Sequence, residues 1–188
     1  MRVYGCATIL YLFSLAAAGC SATSSTHLIS AEATTLLDHS RQARVESALA
    51  AVRPAAGLPA IVLHITTSTE PTAFSWSSGC ICISRGLVDL VDDNELSAVL
   101  AHEFGHLLKA PASHRKLGAA VSSLHGATSS IETECRADTM GVELLRNAGV
   151  PARSMATMLE KVRLATHQTP SCNSDLSRRV ELLRSANN

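Results

Sequence analysis

Aromatic side chains are scarce: Phe, Trp and Tyr make up 3% of the 188 residues. That is too few for the stacking platforms on which proteins hold single-stranded nucleic acid. Neither sign of charge is in surplus, with 16 Lys and Arg against 16 Asp and Glu. Nucleic-acid binders draw much of their affinity from a basic excess, and polybasic membrane-surface proteins need the same. Both classes are therefore disfavoured, and no nucleic-acid partner is expected. Internal repeats and low-complexity tracts are missing too. Charged residues are only 17% and apolar residues 46%, which excludes a disordered polar chain. What remains is a chain long enough for one domain with a real core.

The one sustained apolar run, Ile9 to Ala18, falls short of the ~20 residues that span a bilayer. It follows Met1 and Arg2 and ends at Ala17-Ala18-Gly19-Cys20, the layout of an export signal with a small-residue cleavage site. This end resembles a bacterial lipobox. The resemblance implies cleavage before Cys20 and acylation of Cys20, and several acyl chains on one residue anchor a protein firmly. Ser21 after Cys20 points, by the same resemblance, to the outer membrane facing the periplasm. The expected organisation is a signal peptide over 1–19, a Ser/Thr-rich tether over 20–30 and one domain over 31–188. The mature chain then keeps three aromatic residues, Phe74, Trp76 and Phe104.

Apolar periodicity predicts a helix over 31–52, with Leu36, Leu37, Val45, Leu49 and Val52 on one face, stopped by Pro54 and Gly57. The β-branched run Ile61 to Ile65 reads as a buried strand. Phe74-Ser75-Trp76 and Cys80 to Ser84 read as two more. Asp92 to Asn94 punctuate the start of a strong helix from Glu95 to Leu108. A shorter helix is expected within 110–128, then helices over Ile131–Asn147, Pro151–Ala165 and Asp175–Ser185. The order implies an α+β domain, mostly helical, with a small sheet.

Within the strong helix stands His102-Glu103-Phe104-Gly105-His106. A spacing of four puts both imidazoles one turn apart on one face, where they can share a zinc ion. Glu103, beside the open metal position, can take a proton from water there. The helix is otherwise apolar (Val99, Leu100, Phe104, Leu107), and unpaired His and Glu would be costly in it. A third ligand is needed. On the next long helix Glu134 and Asp138 are again one turn apart. Glu134 can complete a His₂Glu site, and Asp138 can accept the remaining N–H of a ligand histidine. Glu132 is the rival, but it stands on a different face from Asp138.

This arrangement resembles the gluzincin zinc metallopeptidases of the HtpX and CAAX-prenyl-endopeptidase type, in their small lipoprotein branch. They share HExxH with a downstream E-x-x-A-D, here Glu134 to Asp138. Ala73-Phe74, Gly79 to Leu87, Asn94 to Glu103, Ala148 to Pro151 and Met158 to Val162 are similar to further family segments. The likeness runs from about Leu58 to Leu183. It implies one Zn²⁺ per chain, polypeptide substrates, outer-membrane proteins among them, and a zinc helix preceded by an edge strand that pairs with extended substrate. Gly79, Cys80, Ile81, Cys82 and Ile83 take that strand's place. Phe74, Trp76 and Phe104 are expected around one cleft there, though ordinary core packing suits each of them as well. Arg178 or Arg179 corresponds to the family's arginine near the last helix, and His167 to a late histidine.

Cys80, Cys82, Cys135 and Cys172 are an even set in an exported chain and read as two disulfides. Cys80 and Cys82 are two apart on a strand, too close along extended backbone to bridge each other. Each is therefore expected to pair with Cys135 or Cys172. A Cys₄ zinc site is a weaker alternative, because Cys-x-Cys lacks the usual gap. The expected activity is a zinc-dependent endopeptidase of the cell envelope. The rival is a non-catalytic envelope chaperone or assembly lipoprotein with a structural zinc, which would have no need of Glu103.

Overall fold

The computed structural model describes residues 39–58, 61–76, 79–109, 131–165 and 170–186. Cys20, the tether, Leu36, Leu37 and the helix expected within 110–128 lie outside the described residues. The described residues form an α+β fold, mostly helical, with one three-stranded sheet.

Helix α1 (His39–Ala56) buries Val45, Ala48, Leu49, Val52 and Ala56, an i, i+3, i+4 stripe. It runs through Pro54 rather than stopping there, because buried Ala56 holds the last turn down. Gly57, at φ 58°, then ends it. Strands β1 (Val62–Thr66), β2 (Ala73–Trp76) and β3 (Cys80–Ser84) follow. In the sheet the order is β1-β3-β2. β1 runs parallel to β3 with Val62 opposite Cys80 and His64 opposite Cys82. β2 is antiparallel, with Phe74 opposite Cys82 and Trp76 opposite Cys80.

This order corrects one expectation. The segment Gly79 to Ile83 leads into the central strand, paired on both sides, so it is not the edge strand. Its backbone groups are already engaged by two neighbours and cannot also pair with a third chain. Among the described residues the edges are β1 and β2. β2 is the one beside the zinc-motif helix, since Ser75 Oγ donates to the Glu103 carbonyl at 3.4 Å.

Between β3 and that helix the chain forms α2 (Arg85–Leu90), which the apolar pattern did not reveal. Ser84 caps it by accepting from Leu87 N at 3.1 Å, and the same oxygen accepts from Thr72 N at 3.0 Å. At its other end Arg44 donates to the carbonyls of Val88 and Val91 at 2.9 and 2.7 Å. Helix α3 (Asp93–Lys109) opens on a reciprocal cap. Asp92 accepts from Glu95 N and Glu95 accepts from Asp92 N, both at 2.9 Å. Leu96, Ala98, Leu100, Ala101 and Phe104 are fully buried, so α3 is the central helix of the core.

Helix α4 (Ile131–Asn147) crosses α3 backbone against backbone. A Cβ on Gly105 would sit 2.6 Å from the Ala137 carbonyl oxygen and 2.9 Å from its Cα. One on Gly141 would sit 3.2 Å from Ala101 C and His102 N. α4 ends in a paired cap at Gly149 (φ 72°), where Val150 N reaches Leu145 O at 2.9 Å and Gly149 N reaches Arg146 O at 3.1 Å. Pro151 belongs to the following turn rather than to α5 (Ser154–Ala165). Helix α6 (Pro170–Ser185) starts five residues earlier than the periodicity implied, with Pro at its first position.

The three aromatic residues do not share a cleft. Phe104 is 0% exposed inside the core. Phe74 and Trp76 lie on the other side of β2 from Ser75 and pair edge to face, with ring centroids 4.6 Å apart. Alternation also explains the cysteines. Ile81 and Ile83 face the core that α3 and α4 complete, so Cys80 and Cys82 face the opposite side. Cys135 rides on α4, beyond the core. Cys80, Cys82 and Cys135 are accordingly free thiols, and neither expected set of bridges forms. The Cys172 side chain lies outside the described residues.

Gly105→Ala is expected to force α3 and α4 apart, costing about 1–3 kcal/mol as an overpacked contact and lowering metal content with it. Gly149→Ala, where nothing lies within 4 Å of the added Cβ, should cost about 1 kcal/mol for its left-handed backbone and leave metal content unchanged. Thermal unfolding and metal analysis of both variants check this.

Candidate metal centre

Helix α3 presents His102 and His106 one turn apart, with their Nε2 atoms 3.1 Å from each other. Across the Gly105 contact, α4 brings Glu134 to meet them. Its carboxylate oxygens lie 3.3 Å from His102 Nε2 and 3.5 Å from His106 Nε2. Among the described residues this is the group of three donors gathered closely enough to hold one metal ion. Zinc bonded at ~2.0–2.1 Å in a tetrahedron places neighbouring donors roughly 3.3 Å apart, and the three separations bracket that value. The residues therefore fit a zinc ion. Glu132, the rival, is exposed and pairs with Arg136 one turn on along α4.

Asp138 is buried at 2% exposure, and its Oδ1 lies 2.9 Å from His102 Nδ1. A carboxylate there accepts the Nδ1–H, so Nε2 keeps its lone pair for the metal side. Arg179, from α6, completes the support. Its Nε and Nη2 donate to the two Asp138 oxygens, each at 2.7 Å, and its Nη1 lies 3.2 Å from Glu134 Oε2. One guanidinium thus braces the carboxylate behind His102 and the carboxylate that faces the metal position.

Sequence reasoning left Arg178 and Arg179 undecided. The signal was their place on α6: Arg179 is buried with Val180 and Leu183 on the inward face, while Arg178 is exposed.

Burial alone would raise the Glu134 pKa, but hydrogen bonds to His102 and His106 and the charge of Arg179 hold it far below the usual carboxylate range. Burial would likewise raise Asp138, and the Arg179 and His102 contacts keep it lowered instead. For His102, burial favours the neutral ring, yet the bonds to Asp138 and Glu134 outweigh it and push the pKa up to about 10.

Glu103 follows His102 on α3 and is 5% exposed. His106, with 26% of its side chain exposed, is the donor most open to solvent.

The sequence profile of Peptidase family M48 matches residues 39–131. The chain is similar to that family over those residues, just under half its length. Metalloprotease LoiP of Escherichia coli (strain K12) is 28% identical over 120 residues, covering 50% of this chain and 48% of LoiP. Metalloprotease YcaL of the same strain is 25% identical over 120 residues, 50% of this chain and 47% of YcaL. A protease HtpX homolog of Methanothermobacter thermautotrophicus is 38% identical over 56 residues, 28% of this chain and 22% of that protein. The chain thus spans about half the length of LoiP and YcaL, and less of the HtpX homolog. The family match stops at 131, just short of Glu134, so the third donor, Asp138 and Arg179 are assigned by the geometry of α4 and α6.

Glu134→Ala is expected to lose most of the bound zinc, whereas Glu132→Ala keeps it. Metal content of the two purified variants distinguishes them, and equal occupancy would refute Glu134 as a ligand.

Proposed function

We propose that the chain is a zinc-dependent endopeptidase of the bacterial cell envelope, acting on extended or misfolded polypeptides. The observation that carries this reading is the meeting of His102, His106 and Glu134 at zinc spacing beside Glu103. The match of residues 39–131 to the profile of a peptidase family supports it.

Bound zinc would supply a Lewis acid for the scissile carbonyl and lower the pKa of water. His102, His106 and Glu134 would hold it. Glu103 takes the proton of the attacking water and passes it to the leaving amine. Asp138 fixes the ring of His102, and Arg179 fixes Asp138 and Glu134. Because its donors are committed to those two carboxylates, Arg179 acts through them rather than on the substrate. Strand β2, at the sheet edge and bonded to α3 through Ser75, is the strand placed to pair with an extended chain near the metal.

The envelope setting rests on the lipobox at Cys20. No helix among the described residues is long and apolar enough to cross a membrane, so attachment would come through the acyl chains, with outer-membrane proteins within reach as substrates.

Glu103→Gln should retain zinc and lose casein hydrolysis by about 10²–10⁴-fold, the range for removing a general acid–base. A Glu103→Gln protein as active as the parent would sink the assignment. Chelation should abolish the parent activity and added zinc restore it. Cys20→Ala should move the protein from the membrane to the soluble periplasmic fraction, and continued membrane association would refute the anchor.

A further inference from the structure

The sheet face turned away from the zinc site carries a second group of metal-binding side chains. His64 on β1 lies opposite Cys82 on β3, which lies opposite Phe74 on β2. Cys80, two residues back, lies opposite Trp76. Alternation puts His64, Cys80, Cys82, Phe74 and Trp76 on one face. Both thiols are free, and they are 7% and 8% exposed. The Phe74–Trp76 pair flanks them on one side, and half-buried His64 lies on the other.

We propose that Cys80 and Cys82, assisted by His64, bind one soft monovalent cation, with copper(I) as the probe. Three features favour this over two cysteines acting as apolar filler. First, the Cys80 thiol has both the Cys82 thiol and the His64 ring as hydrogen-bonding neighbours, on strands whose register sets His64 opposite Cys82. Second, the contact with Cys82, together with burial, pushes the Cys80 thiol pKa well up, so Cys80 carries a proton. Hard cations do not displace such protons, whereas thiophilic ones do. Third, among the described residues only His102, His106 and Glu134 bring three donors within 4.8 Å of one another. The second cluster is thus a close pair with a neighbour, not a cage. That suits a cation satisfied by few sulfur ligands and does not suit tetrahedral zinc. On binding, each thiol gives its proton to solvent and forms one sulfur–metal bond. No electron is transferred.

The chain contains one tryptophan, and that residue, Trp76, lies opposite Cys80, so its fluorescence reports on this face. Copper(I) would be titrated anaerobically, against a bicinchoninate competitor, into reduced full-length protein already loaded with zinc. One equivalent is expected to bind, to quench Trp76 and to leave the zinc in place, with X-ray absorption showing two sulfur neighbours. Cys82→Ser should weaken binding by at least about 10–100-fold and His64→Gln by less, while Cys135→Ser changes nothing, on the scale of lost ligands and their supports. Displacement of zinc, unquenched fluorescence, nitrogen and oxygen neighbours alone, or unchanged affinity in Cys82→Ser would each overturn the proposal. If Cys82→Ser fails to fold, the fluorescence and absorption measurements on the unaltered protein still decide it.

Discussion

Contact between the backbones of α3 and α4 at Gly105 and Ala137 is the constraint on which the metal centre depends. A side chain at 105 would run into the Ala137 carbonyl, and ordinary helix pairs stand 8–10 Å apart on their side chains. Without that cushion, Glu134 and Asp138 reach the two histidines directly. Gly141 does the same one turn further along α4, against the backbone at Ala101 and His102. The middle of the zinc motif is therefore a packing device: Phe104 fills the core, and Gly105 lets the next helix in. A helix interior gives up about 0.5–1 kcal/mol for each glycine, and here the loss is offset by the close approach it permits.

Charge is the second element. Asp138 and Arg179 are both buried, and each would be unfavourable there alone. Their two-point pairing, continued to His102 on one side and Glu134 on the other, leaves no oxygen of Asp138 without a donor. The chain of contacts runs from α6 through α4 to α3. The last helix thus takes part in the metal centre although it lies far outside the region that the family profile matches. A network of this kind holds ligands in one geometry before any metal arrives, which lowers the reorganisation that binding requires.

The small sheet has two unlike faces. Ile81, Ile83, Leu63 and Ile65 point into the core under α3, and Ser75 ties β2 to the zinc helix on that side. The other face carries sulfur, imidazole and two aromatic rings. Period-two alternation is what lets five-residue strands serve both purposes without mixing them.

The sequence by itself determined the helices and strands wherever periodicity was strong, as in Ile131–Asn147 and the strands around Phe74 and Ile81. It also pointed to the metal donors, because spacings of four on a helix translate directly into one face. It could not order the strands. Alternation shows which face of a strand is buried but not which neighbour it pairs with, so only the fold placed β3 in the centre and β2 at the edge. The cysteines failed for the same reason: an even count says nothing about direction, and the pleat turns Cys80 and Cys82 away from the helix that carries Cys135. The choice of Arg179 over Arg178 likewise waited on the rotation of α6, since adjacent helical residues differ by ~100° and only tertiary packing decides which of the two turns inward.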